Sequence, residues 1–151
     1  KASDNLYVFL GDYVDGWSES SLVIDFLIKL QQTNTCDFIY GNHDAWCHNW
    51  LRDSLPNSTW VQHGGLGTME SYYAIPVEQW STHKRFFDNM QNYVIDDKNR
   101  LFIHAGFSSM HGPEKEHYAS NFNWDRTLWE TAVAMHGKVQ KDDKSYPKRL
   151  K

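Results

Sequence analysis

Short unbroken apolar runs alternate along this chain with longer stretches of helical periodicity. The first run is Leu6-Tyr7-Val8-Phe9-Leu10, and a second ends in Phe38-Ile39-Tyr40. Between them Leu22, Val23, Phe26, Leu27 and Leu30 recur at helical spacing and predict one buried helix face. Ser residues and Glu19 ahead of that face suit a helix N-terminus. Strand, helix, strand in this order predicts a parallel pair with a right-handed crossover. The first run, with no polar interruption, has the form of a strand buried on both faces.

Further along, residues 45–52 predict a short helix with Trp46 and Trp50 four apart on one face. A second short helix carries Thr68, Ser71 and Tyr72. A third runs over about residues 77–90, with Pro76 at its start and Trp80, Phe87 and Met90 on one side. Residues 93–95 and 101–103 predict an antiparallel hairpin. Residues 108–123 read as loop, and Trp124-Asp125-Arg126 opens a last helix bearing Leu128, Trp129, Ala132, Val133 and Met135. The tail from Gly137 has no periodicity. The pattern is α/β, a mixed sheet with flanking helices.

Ligands of open α/β sheets collect at the carboxyl ends of the strands. The loops leaving the first two strands are Gly11-Asp12-Tyr13-Val14-Asp15-Gly16 and Gly41-Asn42-His43-Asp44, and His104-Ala105-Gly106 leaves the hairpin. Asp12, Asn42 and His104 thus lie just past three predicted strands. A carboxylate can bridge two divalent cations, and an amide oxygen and an imidazole nitrogen are ligands for Mn, Fe or Zn. His43 adjoins Asn42 but points elsewhere, which suits a proton donor. Asp15 is placed to orient an imidazole, or to make an Asx-turn. Asp44 serves equally as a helix cap. His63-Gly64-Gly65 reads as a tight turn rather than a ligand motif. The Trp-rich faces read as core, with a pocket for a nucleotide base as the alternative.

Composition narrows the classes. The 151 residues fit one domain, and 40% apolar and 15% aromatic residues supply a core. A net charge of −4 gives no field for nucleic acid. No apolar run approaches the roughly 18–20 residues of a membrane span. Cys36 and Cys47 have no metal-site spacing, and read as reduced thiols of a cytoplasmic protein.

In order and spacing, Gly11-Asp12-Tyr13-Val14-Asp15, Gly41-Asn42-His43-Asp44 and His104-Ala105-Gly106 resemble the second, third and fourth motifs of the calcineurin-like metallophosphoesterases. Gly64-Gly65-x-x-Thr68 and Trp124-x-Arg126 are similar to the bacterial serine/threonine protein phosphatase-like and diadenosine-tetraphosphatase-like branch. The resemblance covers about residues 6–130. It implies a two-sheet sandwich with helices outside, and two divalent metal ions, manganese first and iron or zinc otherwise. It implies that Asp12 bridges the metals, that Asn42 and His104 ligate the second, and that His43, oriented by Asp15, protonates the leaving oxygen. Arg126 would contact the substrate phosphate.

Two departures bear on function. Gly16-Trp17 stands where the phosphatase branch carries Arg-Gly, so one phosphate clamp is missing. The family's first Asp-x-His motif and its last Gly-His motif have no counterpart, so residues 1–151 read as a single domain truncated at both ends. The expected activity is metal-dependent hydrolysis of a phosphomonoester by a metal-bridging hydroxide, with a phosphoprotein as one substrate. A dinucleoside polyphosphate or cyclic nucleotide is the alternative. A catalytically inactive fragment or binding module stands as the reading from another class. Expected partners are a phosphorylated small molecule, nucleotide or phosphoprotein, with no nucleic acid and no membrane.

Overall fold

The computed structural model describes residues 5–144, with 1–4 and 145–151 outside the description. Strand β1 (Leu6–Phe9) pairs in parallel with β2 (Thr35–Phe38), Leu6 opposite Thr35 and Phe9 opposite Phe38. Helix α1 (Ser20–Leu30) is the crossover. Helices α2 (Asn42–Asp53), α3 (Ser58–Trp60), α4 (Leu66–Tyr73) and α5 (Val77–Asp88) follow, with a kinked π segment (Val61–Gly65) joining α3 to α4. Strands β3 (Tyr93–Ile95) and β4 (Leu101–Ile103) form the expected antiparallel hairpin. A single bridge, Ile39 to Gln91, ties it to the first sheet. Helix α6 (Asn121–Trp124) and helix α7 (Thr127–Met135) complete the order. This is an α/β arrangement of small mixed sheets flanked by helices, as expected.

The core lies between the parallel pair and helices α1, α2, α4 and α5. Phe38 meets Phe86 with ring centroids 4.8 Å apart, and Trp50 packs against Trp60, Tyr72 and Trp80. Ile24, Leu27 and Cys47 fill the spaces between these rings.

Several expectations are corrected. Helix α1 buries only part of its expected apolar stripe: Leu27 is buried and Leu30 packs against the core, but Leu22 and Phe26 are 55% and 61% exposed, and Val23 is also exposed. It turns Ser20, Ser21, Ile24 and Leu27 inward, because its contact with α4 is built from hydroxyls. Ser21 Oγ lies 2.7 Å from Ser71 Oγ, and Ser20 Oγ 2.9 Å from Thr68 Oγ1. These serines are therefore spent on packing, and none caps the helix, whose N-cap is Glu19. Strand β1 is exposed at Leu6 and Tyr7, since β2 is its only partner among the described residues. Trp129 is 69% exposed rather than core, and α7 buries none of its residues. The last helix starts at Thr127 rather than Trp124, because Asp125 takes an extended conformation and its carboxylate accepts a 2.7 Å hydrogen bond from Thr127 N.

Candidate metal centre

Helix α2 begins earlier than its apolar periodicity suggests, at Asn42 itself. Asn42 and His43 are consequently its first two residues, held on backbone geometry rather than on a free loop. Asp44, fully buried, accepts hydrogen bonds from Gly41 N (2.9 Å), Asp12 N (2.7 Å) and Tyr13 N (2.9 Å). One carboxylate thereby caps α2 and ties the first loop to the second. Burial pushes this carboxyl up to about 7, and the three N–H donors act against that rise. The sequence offers Asp44 as a rim residue or as a helix cap, and its cross-loop role has no signal in the sequence.

The loops meet more closely than side chains would permit. A Cβ at Gly11, where φ is +94°, would stand 2.7 Å from His104 Nδ1 and from Gly41 N. A Cβ at Gly41 would stand 2.5 Å from Asp12 N. Asp12 and Asp15 take positive φ of 60° and 76°, a strained conformation for residues with a Cβ. Such outliers persist only where the surroundings impose them, and they concentrate at functional sites.

Three expected donors come together. His104 Nδ1 lies 2.7 Å from the Leu10 carbonyl oxygen, so it carries the proton and donates. Nε2 of the neutral ring is then a lone pair. It faces Asn42 Oδ1 at 3.0 Å and Asp12 Oδ2 at 3.6 Å, both acceptors. Asp12 Oδ1 is turned away, accepting from His43 N at 3.2 Å. A carboxylate, an amide oxygen and an imidazole nitrogen thus converge with no proton between them, which suits a divalent cation. Ligands about 2.1 Å from a cation and at right angles to one another lie about 3 Å apart, which is the His104–Asn42 separation of 3.0 Å, while the 3.6 Å to Asp12 Oδ2 is wider. Among the described residues no three His, Cys, Asp or Glu side chains gather in this way. The cluster contributes two of those types, and its third donor is an amide.

Beside it stands the second expected pair. His43 Nδ1 donates to Asp15 Oδ2 at 2.5 Å, which leaves Nε2 of a ring 25% exposed toward the rim. Asp15 also accepts from Trp60 Nε1 (2.8 Å) and Thr68 Oγ1 (2.6 Å). The sequence pattern places Thr68 on a short helix and in the resemblance, and assigns neither Thr68 nor Trp60 a partner. Trp60 lies in α3. Arg126 lines a cavity shared with Asn42 and His104. His63 is apart from the three donors; its Nδ1 lies 2.7 Å from the Thr59 carbonyl oxygen, and its ring neighbours Trp46. No helix among the described residues is long and apolar enough to cross a membrane.

Fold and site together define a metallophosphoesterase-type α/β domain, and the chain belongs to the calcineurin-like phosphoesterase family, whose model matches residues 1–146. Similar proteins include the bis(5'-nucleosyl)-tetraphosphatase PrpE [asymmetrical] of Geobacillus thermodenitrificans, 31% identical over 103 residues, covering 65% of this chain and 41% of that protein. The same-named protein of Anoxybacillus flavithermus is 34% identical over 104 residues, with the same coverage. The chain therefore spans about 41% of the length of these curated relatives.

Proposed function

We propose that residues 1–151 form part of one phosphoester hydrolase domain, and that Asp12, Asn42 and His104 hold a divalent cation at its centre. The observation that carries this reading is the convergence of a carboxylate oxygen, an amide oxygen and an imidazole nitrogen beside a histidine–carboxylate pair. A divalent cation there supplies Lewis-acid polarisation of a phosphoryl oxygen and lowers the pKa of water. Manganese is the first candidate, then iron or zinc, and two such ions with Asp12 between them match the family resemblance.

The chain's own residues have distinct tasks. Asp15 accepts from Nδ1 of His43 and stabilises the doubly protonated ring, whose Nε2–H is the proton given to the leaving oxygen. Its other two hydrogen bonds keep the carboxylate from swinging. Arg126 binds a phosphate oxygen through its guanidinium.

A nucleoside polyphosphate is the substrate we favour. The relatives' names support it, and so does an aromatic wall of Trp124 and Trp129 beside Arg126. Phosphoprotein hydrolysis has less support, because Gly16 replaces the arginine carried by that branch.

The test is metal content together with turnover of diadenosine tetraphosphate and p-nitrophenyl phosphate in Mn²⁺, on the full-length protein and its Asp12→Asn variant. Bound metal and turnover in the first, both lost in the second, is the expected result. Unchanged turnover in Asp12→Asn would overturn the ligand assignment, and a metal-free, inactive parent would favour a binding module.

A further inference from the structure

We propose that the cavity beside His104 is a nucleobase subsite that selects a base bearing an exocyclic amino group, an inference that rests on the nucleotide reading above. The cavity measures about 590 Å³, a size that suits a nucleotide-sized ligand. Asn42 and His104 line it together with Trp124, Arg126, Leu128 and Trp129. Phosphate chemistry and an aromatic surface therefore share one enclosure. Trp124 is fixed rather than loose: its ring stands edge-on to Trp46, centroids 4.9 Å apart and planes at 68°. Base stacking on such a surface gives affinity with little choice among bases.

Choice comes from Asn123. Its side chain lines the cavity and is 7% exposed, and its Oδ1 accepts no hydrogen bond among the described residues. A buried amide oxygen without a donor is uncommon in folded proteins. The oxygen is itself buried, so the proposed pairing requires a rotation about χ2 that brings the carboxamide to the cavity surface. An asparagine carboxamide pairs with adenine by accepting from the exocyclic amino group and donating to the neighbouring ring nitrogen. A base with a carbonyl in place of the amino group meets oxygen with oxygen.

The subsite is also held in register with the metal centre. Ala105 N donates to Phe122 O at 2.9 Å, which joins the strand end carrying His104 to α6. Gly106 lies against the Asp125 carbonyl, where a Cβ would stand only 2.6 Å away. The segment 123–126 is thus attached to the residues that follow His104, and a base seated on it sets where its phosphates fall.

Adenosine and inosine 5'-monophosphates differ only at the C6 edge of the base, amino with a bare N1 in the first and carbonyl with N1–H in the second, and their binding to the full-length protein in Mn²⁺ is read by tryptophan fluorescence quenching without any turnover. The expected result is adenosine monophosphate bound about ten- to a hundredfold more tightly than inosine monophosphate. Asn123→Leu brings the two within about twofold. Trp129→Ala, at an exposed position, weakens both by about tenfold. Equal affinities in the parent protein, or a preference that survives Asn123→Leu, would overturn the subsite. Hydrolysis without base preference removes the subsite alone, and base preference without hydrolysis removes the proposed reaction alone.

Discussion

Asp15 shows how much of this site depends on side chains that no loop motif contains. Its carboxylate takes hydrogen bonds from His43, Trp60 and Thr68, and both Trp60 and Thr68 are fully buried. Three donors from three segments determine where the His43 ring stands. His43→Ala should leave metal content intact and lower turnover by about 10²–10⁴-fold. The loss should be larger for alkyl phosphates than for p-nitrophenyl phosphate, whose leaving group needs less help from an acid. If the variant loses its metal instead, His43 is a ligand. Thr68→Val keeps the side-chain volume and removes one donor to Asp15. Turnover of alkyl phosphates should fall by about tenfold, with a smaller effect on the p-nitrophenyl ester; an equal effect on both would mean that Thr68 acts on general stability. The loop residues Asp12, Asp15, Asn42, His43 and His104 could be singled out from their strand-end positions. Trp60, Thr68 and Asp44 could not be given their roles, since those depend on partners about 30–50 residues away in the chain.

Among elements, the bent run from α3 through the π segment into α4 is the one that sequence pattern described least well. Gly64 and Gly65 read as a turn. In the structure two helical stretches meet there across a kink, with non-helical dihedrals at His63 and at Gly64, whose φ is +109°, so the turn reading holds at Gly64 while Gly65 already belongs to the following helical stretch. The bend lets one continuous run deliver Trp60 and Thr68 to the same carboxylate. Its start is set by Asn57, whose Oδ1 accepts from Thr59 N (2.8 Å) and Trp60 N (3.2 Å). Asn57→Ala should destabilise the protein by about 1 kcal/mol, read as a lower denaturation midpoint at unchanged slope. Turnover should fall as well, because Trp60 Nε1 is carried by the same turn. Helix α1 teaches a related lesson. Its Leu22, Val23 and Phe26 have helical spacing, but periodicity alone does not say which neighbour a face meets. Small hydroxyl residues on α4 drew the serine face inward.

For the molecule as a whole, His48 couples stability to pH. It is nearly buried, stacked on Phe87 at 5.5 Å, with Nδ1 2.6 Å from Tyr40 Oη. Its Nε2 lies 3.1 Å from Asp88 without the alignment of a hydrogen bond. Burial is the leading influence and lowers its pKa from 6.5, while Asp88 acts in the other direction. Below pH 6.5 the unfolded chain therefore binds a proton that the folded one resists. The His48 contribution is present above 6.5 and is lost as pH falls toward the folded value. Thermal or urea midpoints should drop on acidification through this window, and His48→Phe should flatten that part of the profile. An unchanged slope in the variant would assign the pH dependence to other groups.

The chain's local pattern by itself determined the α/β class, the parallel pair, the hairpin and the set of polar residues at strand ends. Those features follow from alternation, helical spacing and turn chemistry within a dozen residues, so nothing distant is needed to read them. Tertiary structure alone decided the rest: which residues of α1 are inside, that the kink at Gly64 joins two helical stretches, that Asp44 binds two loops together, and that His104 turns Nε2 toward Asn42 and Asp12. It also placed Asn123 and Trp124 beside that cluster. Each of these depends on contacts between segments far apart in sequence, whose geometry is set by how the whole core packs.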